Sequence, residues 1–208
     1  MDNAVTKNSE EDTFTVAGFL FKTILWIIPA FFFWYIAAAI FCFPAIFLSD
    51  LIIPYLLPSI LEGVEQQSYL ADIVTELDIK DNSGQTGQLV FSINTLKYAY
   101  GFPLLFAMTV ATNQSIYKKL DTLTYGFIII ALAQTWSICF EVLSTLLLKI
   151  GGENFNIITE ALPFYSEPSV LNGIALGYQL GFLILPAIIP ISYWVLRHQL
   201  FLKQISKT

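Results

Sequence analysis

Residues 23–48, TILWIIPAFFFWYIAAAIFCFPAIFL, contain no charged side chain. A bilayer hydrocarbon core about 30 Å thick is crossed by about 20 apolar residues in a helix, so this stretch is long enough to cross. Lys22 sits at its start, where a lysine can snorkel to the headgroups, and Trp26, Trp34 and Tyr35 lie along it. Three more stretches follow. Tyr98–Ala111 reaches span length only if Asn113–Tyr117 continues its helix; Leu123–Leu148 has Glu141 as its single charge; Leu171–Leu196 is uncharged. Prolines in or near these runs (Pro29, Pro44, Pro103, Pro186, Pro190) are tolerated in membrane helices whose neighbours satisfy the freed carbonyls. The first stretch reads as a retained signal anchor. It is too long for a cleaved signal, follows an acidic leader and is not followed by a small-residue cleavage site.

The whole-chain composition agrees. Of 208 residues, 56% are hydrophobic and 12% charged, with a mean hydropathy of +0.67. A soluble domain carries about 25% charged residues. A disordered chain, a nucleic-acid-binding protein and an ordinary cytosolic enzyme are excluded. The net charge of −6 argues against polybasic lipid binding. Two cysteines and one histidine are too few for a disulfide scaffold or a structural zinc site.

Lysine and arginine set orientation. Lys7, Lys22, Lys118, Lys119, Arg197, Lys203 and Lys207 fall on one side, leaving Lys80, Lys97 and Lys149 on the other with ten acids. Both termini are therefore expected in the cytoplasm, with two acidic loops facing outward. The expected fold is an all-α integral membrane protein of four spans: tail 1–18, span 19–48, outer (periplasmic) loop 49–97, spans 98–117 and 123–150, outer loop 151–170, span 171–197 and tail 198–208. In the larger loop, Leu51–Val64 reads as a surface helix. Tyr69, Ala71, Ile73, Leu77 and Ile79 alternate with acids, Asp81-Asn82-Ser83-Gly84 is a turn signal, and Leu89, Phe91 and Ile93 alternate with polar residues. That pattern predicts a β-hairpin, 69–80 with 87–95.

Little catalytic chemistry is on offer. Cys42 and Cys139 fall inside expected spans, where a thiol without a base stays neutral. His198 lies at the cytoplasmic end of the last span, and there is no CxxC, Gly-rich phosphate loop or HExxH. No catalytic, cofactor-binding or metal-binding residue is expected. The polar signal is on the third span: Gln134, Ser137, Glu141 and Thr145 form one helical stripe. A charged acid at mid-membrane costs about 2.5–3.5 kcal/mol on insertion scales, so Glu141 should be paired, protonated or turned inward. It reads as an internal hydrogen-bond anchor, ahead of a proton site, an ion site or a contact with a partner's basic residue. On the fourth span Gly173, Gly177 and Gly181 form GxxxGxxxG, a surface for close helix approach, within the bundle or to a partner. Gln179 lies on the opposite face, at about the depth of Glu141, and is the residue expected to hydrogen-bond to it.

Gly87-Gln88-Leu89-Val90-Phe91-Ser92-Ile93-Asn94, continuing to Tyr98-Ala99-Tyr100-Gly101-Phe102-Pro103-Leu104, together with Leu61-Glu62-Gly63-Val64-Glu65 and Ala175-Leu176-Gly177-Tyr178-Gln179-Leu180-Gly181, resembles the exosortase H-associated membrane proteins. The resemblance covers most of residues 20–200. It implies a small multispan protein of a bacterial inner membrane that assists an exosortase, a transpeptidase-like enzyme cutting a C-terminal sorting helix from exported proteins with Cys, Arg and His. This chain lacks that set, so the resemblance points to a non-catalytic companion that scaffolds the peptidase or presents its substrate. The implied partners are the bilayer, the exosortase and exported proteins carrying such a helix. The alternative from another class is a small transporter or proton-coupled protein centred on Glu141.

Overall fold

The computed structural model describes residues 15–80, 86–150 and 152–205. Helix α1 (Val16–Ile36) opens at Thr15, whose hydroxyl accepts the Gly18 N–H at 3.1 Å. At Ala37 (φ −93°, ψ 20°) the helix breaks, and α2 (Ala38–Leu56) follows. The 19–48 stretch is thus not one span but most of one helix and the first half of the next. Neither Gly nor Pro stands at the break. It separates a segment packed on α3 from one packed on a sheet and on α4.

The surface helix expected at 51–64 is corrected as well. Residues 51–56 complete α2, Ser59 takes a positive φ of 60°, and Leu61–Gln67 is a strand, β1. β1, β2 (Leu70–Lys80) and β3 (Thr86–Asn94) form an antiparallel sheet in the order β1-β2-β3. Gln67 pairs with Leu70 across a two-residue turn that holds Ser68 at φ 61°, the left-handed geometry such turns require. β2 and β3 carry the alternation read from sequence, with Ala71, Ile73, Leu77, Leu89 and Ile93 buried and Glu76, Asp78, Gln88 and Ser92 exposed. The turn 81–84 lies outside the described residues, as do Lys7, Lys207 and most of the amino-terminal tail. The fold is therefore mostly helical with a three-stranded sheet.

A short 3₁₀ turn (Thr95–Tyr98) leads into α3 (Gly101–Ala111). The second expected span, 98–117, is shorter than expected. Thr112 is extended, its hydroxyl donates to the Thr109 carbonyl at 2.7 Å, and Lys119 donates to Val110 O at 2.9 Å, so the last carbonyls are satisfied without further helix. Tyr117 belongs instead to α4 (Ile116–Ser144), which a π turn extends to Lys149. The segment expected as the second loop, 151–170, contains α5 (Gly152–Ala161) and a 3₁₀ turn (Pro163–Ser166). The last long helix is α6 (Pro168–Gln179), a π turn (Leu180–Ile184) and α7 (Leu185–Arg197). Pro186 cannot donate to the carbonyl of Phe182, and the π turn carries the helix past that gap. α8 (Gln199–Ile205) ends the described chain.

By length and composition four helices could cross a membrane: Val16–Ile36, Ala38–Leu56, Ile116–Lys149 and Pro168–Arg197. α4 with its π turn has 34 residues, about 51 Å at 1.5 Å per residue. That exceeds a hydrocarbon core. Its two halves differ: Ile116, Leu120, Tyr125, Ile128 and Leu132 are exposed, whereas Ile138, Val142, Leu143 and Leu146 are buried. The buried half shares one core with Ile46, Ile53 and Leu57 and with the inner face of the sheet. At the other end, Phe19 of α1 stacks on Trp194 of α7 with ring centroids 5.0 Å apart, and both rings contact Phe201 of α8. Both ends of the described chain therefore lie at one end of the bundle, with the Arg197–Asp121 pair.

Candidate functional site

The α4 polar stripe sits where the sheet joins the bundle. Gln134, Ser137 and Glu141 are all buried. Gln134 Nε2 donates to the Thr95 carbonyl at 3.2 Å, and Ser137 Oγ donates to the carbonyls of Ala133 (2.9 Å) and Gly181 (3.0 Å). Glu141 accepts from Lys97 Nζ at 2.5 Å through one oxygen and from the Tyr98 hydroxyl at 2.6 Å through the other. The 3₁₀ turn between β3 and α3 supplies both donors. Asn94 caps it, accepting the Leu96 N–H at 3.1 Å, and this fixes the direction in which Lys97 and Tyr98 project. Burial, and then the Glu141 carboxylate it donates to, push the Tyr98 phenol well above its ordinary range, so it stays a neutral donor. Lys97 Nζ also lies 5.0 Å from the Tyr98 ring centroid and 5.9 Å from that of Phe182.

Gln179 is not part of this cluster. It is exposed on α6, so the expected bond to Glu141 is not made; Lys97 and Tyr98 occupy both carboxylate oxygens instead. Of the two uses expected for the glycine face, packing within the bundle is the one that two of its three residues serve. A Cβ on Gly177 would stand 2.1 Å from Phe140 Cε1, and one on Gly181 would stand 2.9 Å from Ser137 Oγ. Trp136, stacked on Phe140 at 4.4 Å, donates its indole N–H to the Gly177 carbonyl at 3.3 Å. Gly177 and Gly181 thus seat α6 and its π turn on α4 and are not free for a partner. Only Gly173 of the three has no atom within 4 Å of a Cβ position.

Cys42 and Cys139 are buried free thiols in the core, Cys42 beside Thr95 and Gln134. His198 lies beyond α7, where burial holds its imidazole below the usual value; its Nδ1 lies 2.9 Å from the Trp194 carbonyl and its ring stacks on Trp194 at 4.6 Å. Among the described residues no cluster of three or more His, Cys, Asp or Glu side chains could hold a metal. Chemically, the stripe is a set of hydrogen bonds tying α4 to the 3₁₀ turn and to the last helix, with the buried Gln134 Oε1 left without a partner among the described residues.

The Lys97–Glu141 contact should be coupled. A double-mutant cycle of Lys97→Met and Glu141→Gln, read by thermal unfolding in detergent, is expected to give an interaction of about 0.5–3 kcal/mol. Additive effects would show the pair to be energetically idle. Gly177→Leu is expected to cost about 1–3 kcal/mol of stability by overpacking against Phe140. Phe140→Ala in the same chain should recover part of that loss, as measured by the same melts.

The family model of the exosortase H-associated membrane proteins matches residues 14–201. Comparison with curated proteins and with solved structures returned no match. A match over nearly the whole chain, on a fold of long apolar helices, leads to one conclusion: the chain belongs to the exosortase H-associated membrane protein family.

Proposed function

We propose that this protein is a non-catalytic accessory of an exosortase sorting system in a bacterial inner membrane, with both termini cytoplasmic. In this reading it scaffolds the peptidase or presents exported substrates that carry a C-terminal sorting helix. The observation that carries the reading is the family match over residues 14–201, a family named for its association with an exosortase. The residue inventory supports it: the two thiols are buried in the core and His198 is held against Trp194 at the far end. A transporter centred on Glu141 is less well supported, because each carboxylate oxygen already accepts from a donor of the same chain. Gln134, Ser137 and Glu141 then act as an internal clamp, and Gly177 and Gly181 as a helix-packing seam.

Deleting the gene should cause unprocessed sorting substrate to accumulate, detected by immunoblot of the substrate's C-terminal helix. A Cys42→Ala, Cys139→Ala variant should restore processing. Normal processing in the deletion strain would refute the accessory role, and failure of a stably inserted double variant would point to thiol chemistry. Orientation is tested separately. Reporters fused after Thr208 and inserted at Asp81–Gly84 should report opposite sides of the membrane, the first cytoplasmic.

A further inference from the structure

The two edge strands of the sheet are β1 and β3. At β1 the Val64 N–H donates to Asp50 Oδ1 at 2.9 Å, so α2 meets that edge. Beside β3, the Thr95 N–H donates to the Tyr69 carbonyl at 3.1 Å, and the Thr75 hydroxyl of β2 donates to the Leu89 carbonyl at 2.8 Å. Backbone groups of successive residues in an antiparallel strand turn to alternate sides. Leu89, Phe91 and Ile93 therefore face β2, and Val90 and Ser92 turn their N–H and C=O groups to the side without a strand. Natural edges are blunted by lysine, proline, a bulge or shortness. β3 is nine residues long, TGQLVFSIN, with no charge and no proline, and the register shift between Val74 and Asp78 places its extra residues on β2. The polar side chains of β3 are tied back over the sheet: Gln88 Nε2 donates to Glu62 Oε2 at 2.7 Å, and the Ser92 hydroxyl to Asp72 Oδ1 at 2.5 Å. Val90, between them, is 50% exposed. Open sheet edges are not found in hydrocarbon, so this one meets water or another chain.

The direction of the strands selects the occupant. The Leu61 N–H bonds to the Leu57 carbonyl at one end of α2, and Gln66 Nε2 to the Ala39 carbonyl at the other, so β1 runs antiparallel to α2. α2 runs in the same direction as α4: Thr135 Oγ1 is 3.5 Å from the Ala45 carbonyl, and one turn further Cys139 lies beside Ser49. The strands thus follow the axis of α4, the longest candidate span, and β3 runs toward the 3₁₀ turn where α3 enters the bundle. A second copy paired antiparallel on this edge would be turned end over end, whereas copies in one membrane share an orientation. We propose that the β3 edge takes, as a fourth strand parallel to β3, the extended segment of an exported substrate just ahead of its C-terminal sorting helix. Such a chain runs from outside toward the membrane, as β3 runs toward the bundle, and its backbone meets the outward groups of Val90 and Ser92. The inference names the partner of the accessory reading above and rests on that reading and its orientation.

The test uses the full chain in membranes, co-expressed with the exosortase and an epitope-tagged sorting substrate of the same genome. A photo-crosslinking phenylalanine analogue at position 90 should form an adduct of the combined mass with the substrate; the same analogue at Tyr117, at the opposite end of α4, should not. No adduct at position 90, or one with the exosortase or a second copy only, would overturn the choice of occupant. Val90→Pro removes an N–H that the sheet does not use. It should lower substrate co-purification by about tenfold or more and leave the melting temperature of the isolated protein unchanged. Val90→Lys places on the edge the charge that blunts natural ones and should have the same effect, which keeps the test open if the proline variant melts early. Full substrate recovery with a stably folded variant of either kind refutes the edge and leaves the accessory reading standing. Normal processing in the deletion strain refutes both.

Discussion

A carboxylate among apolar side chains is costly unless donors meet it, so α4 cannot hold Glu141 without help. Here the help comes from one short 3₁₀ turn. Lys97 and Tyr98 close on the two oxygens, and Gln134, two turns of helix earlier, donates to Thr95 in the same turn. The turn ends the sheet and begins α3, so these contacts fix the sheet's position against α4 and set where α3 enters the bundle. The inner face of the sheet can then pack against α2 and the upper half of α4.

The same helix organises the last one through a different device. Between lipid-embedded helices apolar burial gives no net drive, and association depends on close packing and hydrogen bonds. Gly177 and Gly181 admit Phe140 and Ser137 at distances no Cβ would allow, and the carbonyls brought close accept from Trp136 and Ser137. Small residues and polar residues are thus parts of one contact. Reading GxxxG and the polar stripe as separate features hides that, because each supplies what the other lacks.

Hydropathy made the membrane class legible, and alternation made β2 and β3 legible, because both signals are local and periodic. The stripe Gln134, Ser137, Glu141 was legible as a face. Its partners were not: Lys97 and Tyr98 lie 44 and 43 residues from Glu141 in sequence, and no local pattern joins them. β1 was hidden because a register shift between Leu61 and Gly63 breaks its alternation and it follows an apolar run directly. The break at Ala37 was hidden because no residue type marks it; it reflects what lies beside each segment. Gln179 was misread because depth along a helix was matched to Glu141 without knowing which face α6 turns to α4.

Exposed apolar surface and buried polar groups play different parts in this fold. The exposed apolar residues of α1 and of the Ile116 end of α4 face a solvent as apolar as themselves, where covering them gains almost nothing. Ser137 and Glu141 already have partners within the chain, and Gln134 has one for its amide nitrogen but none for its buried amide oxygen among the described residues. Folding thus closes the Lys97–Glu141–Tyr98 and Ser137–Gly181 contacts within the chain, while the buried indole N–H groups of Trp34 and Trp194 have no acceptor among the described residues.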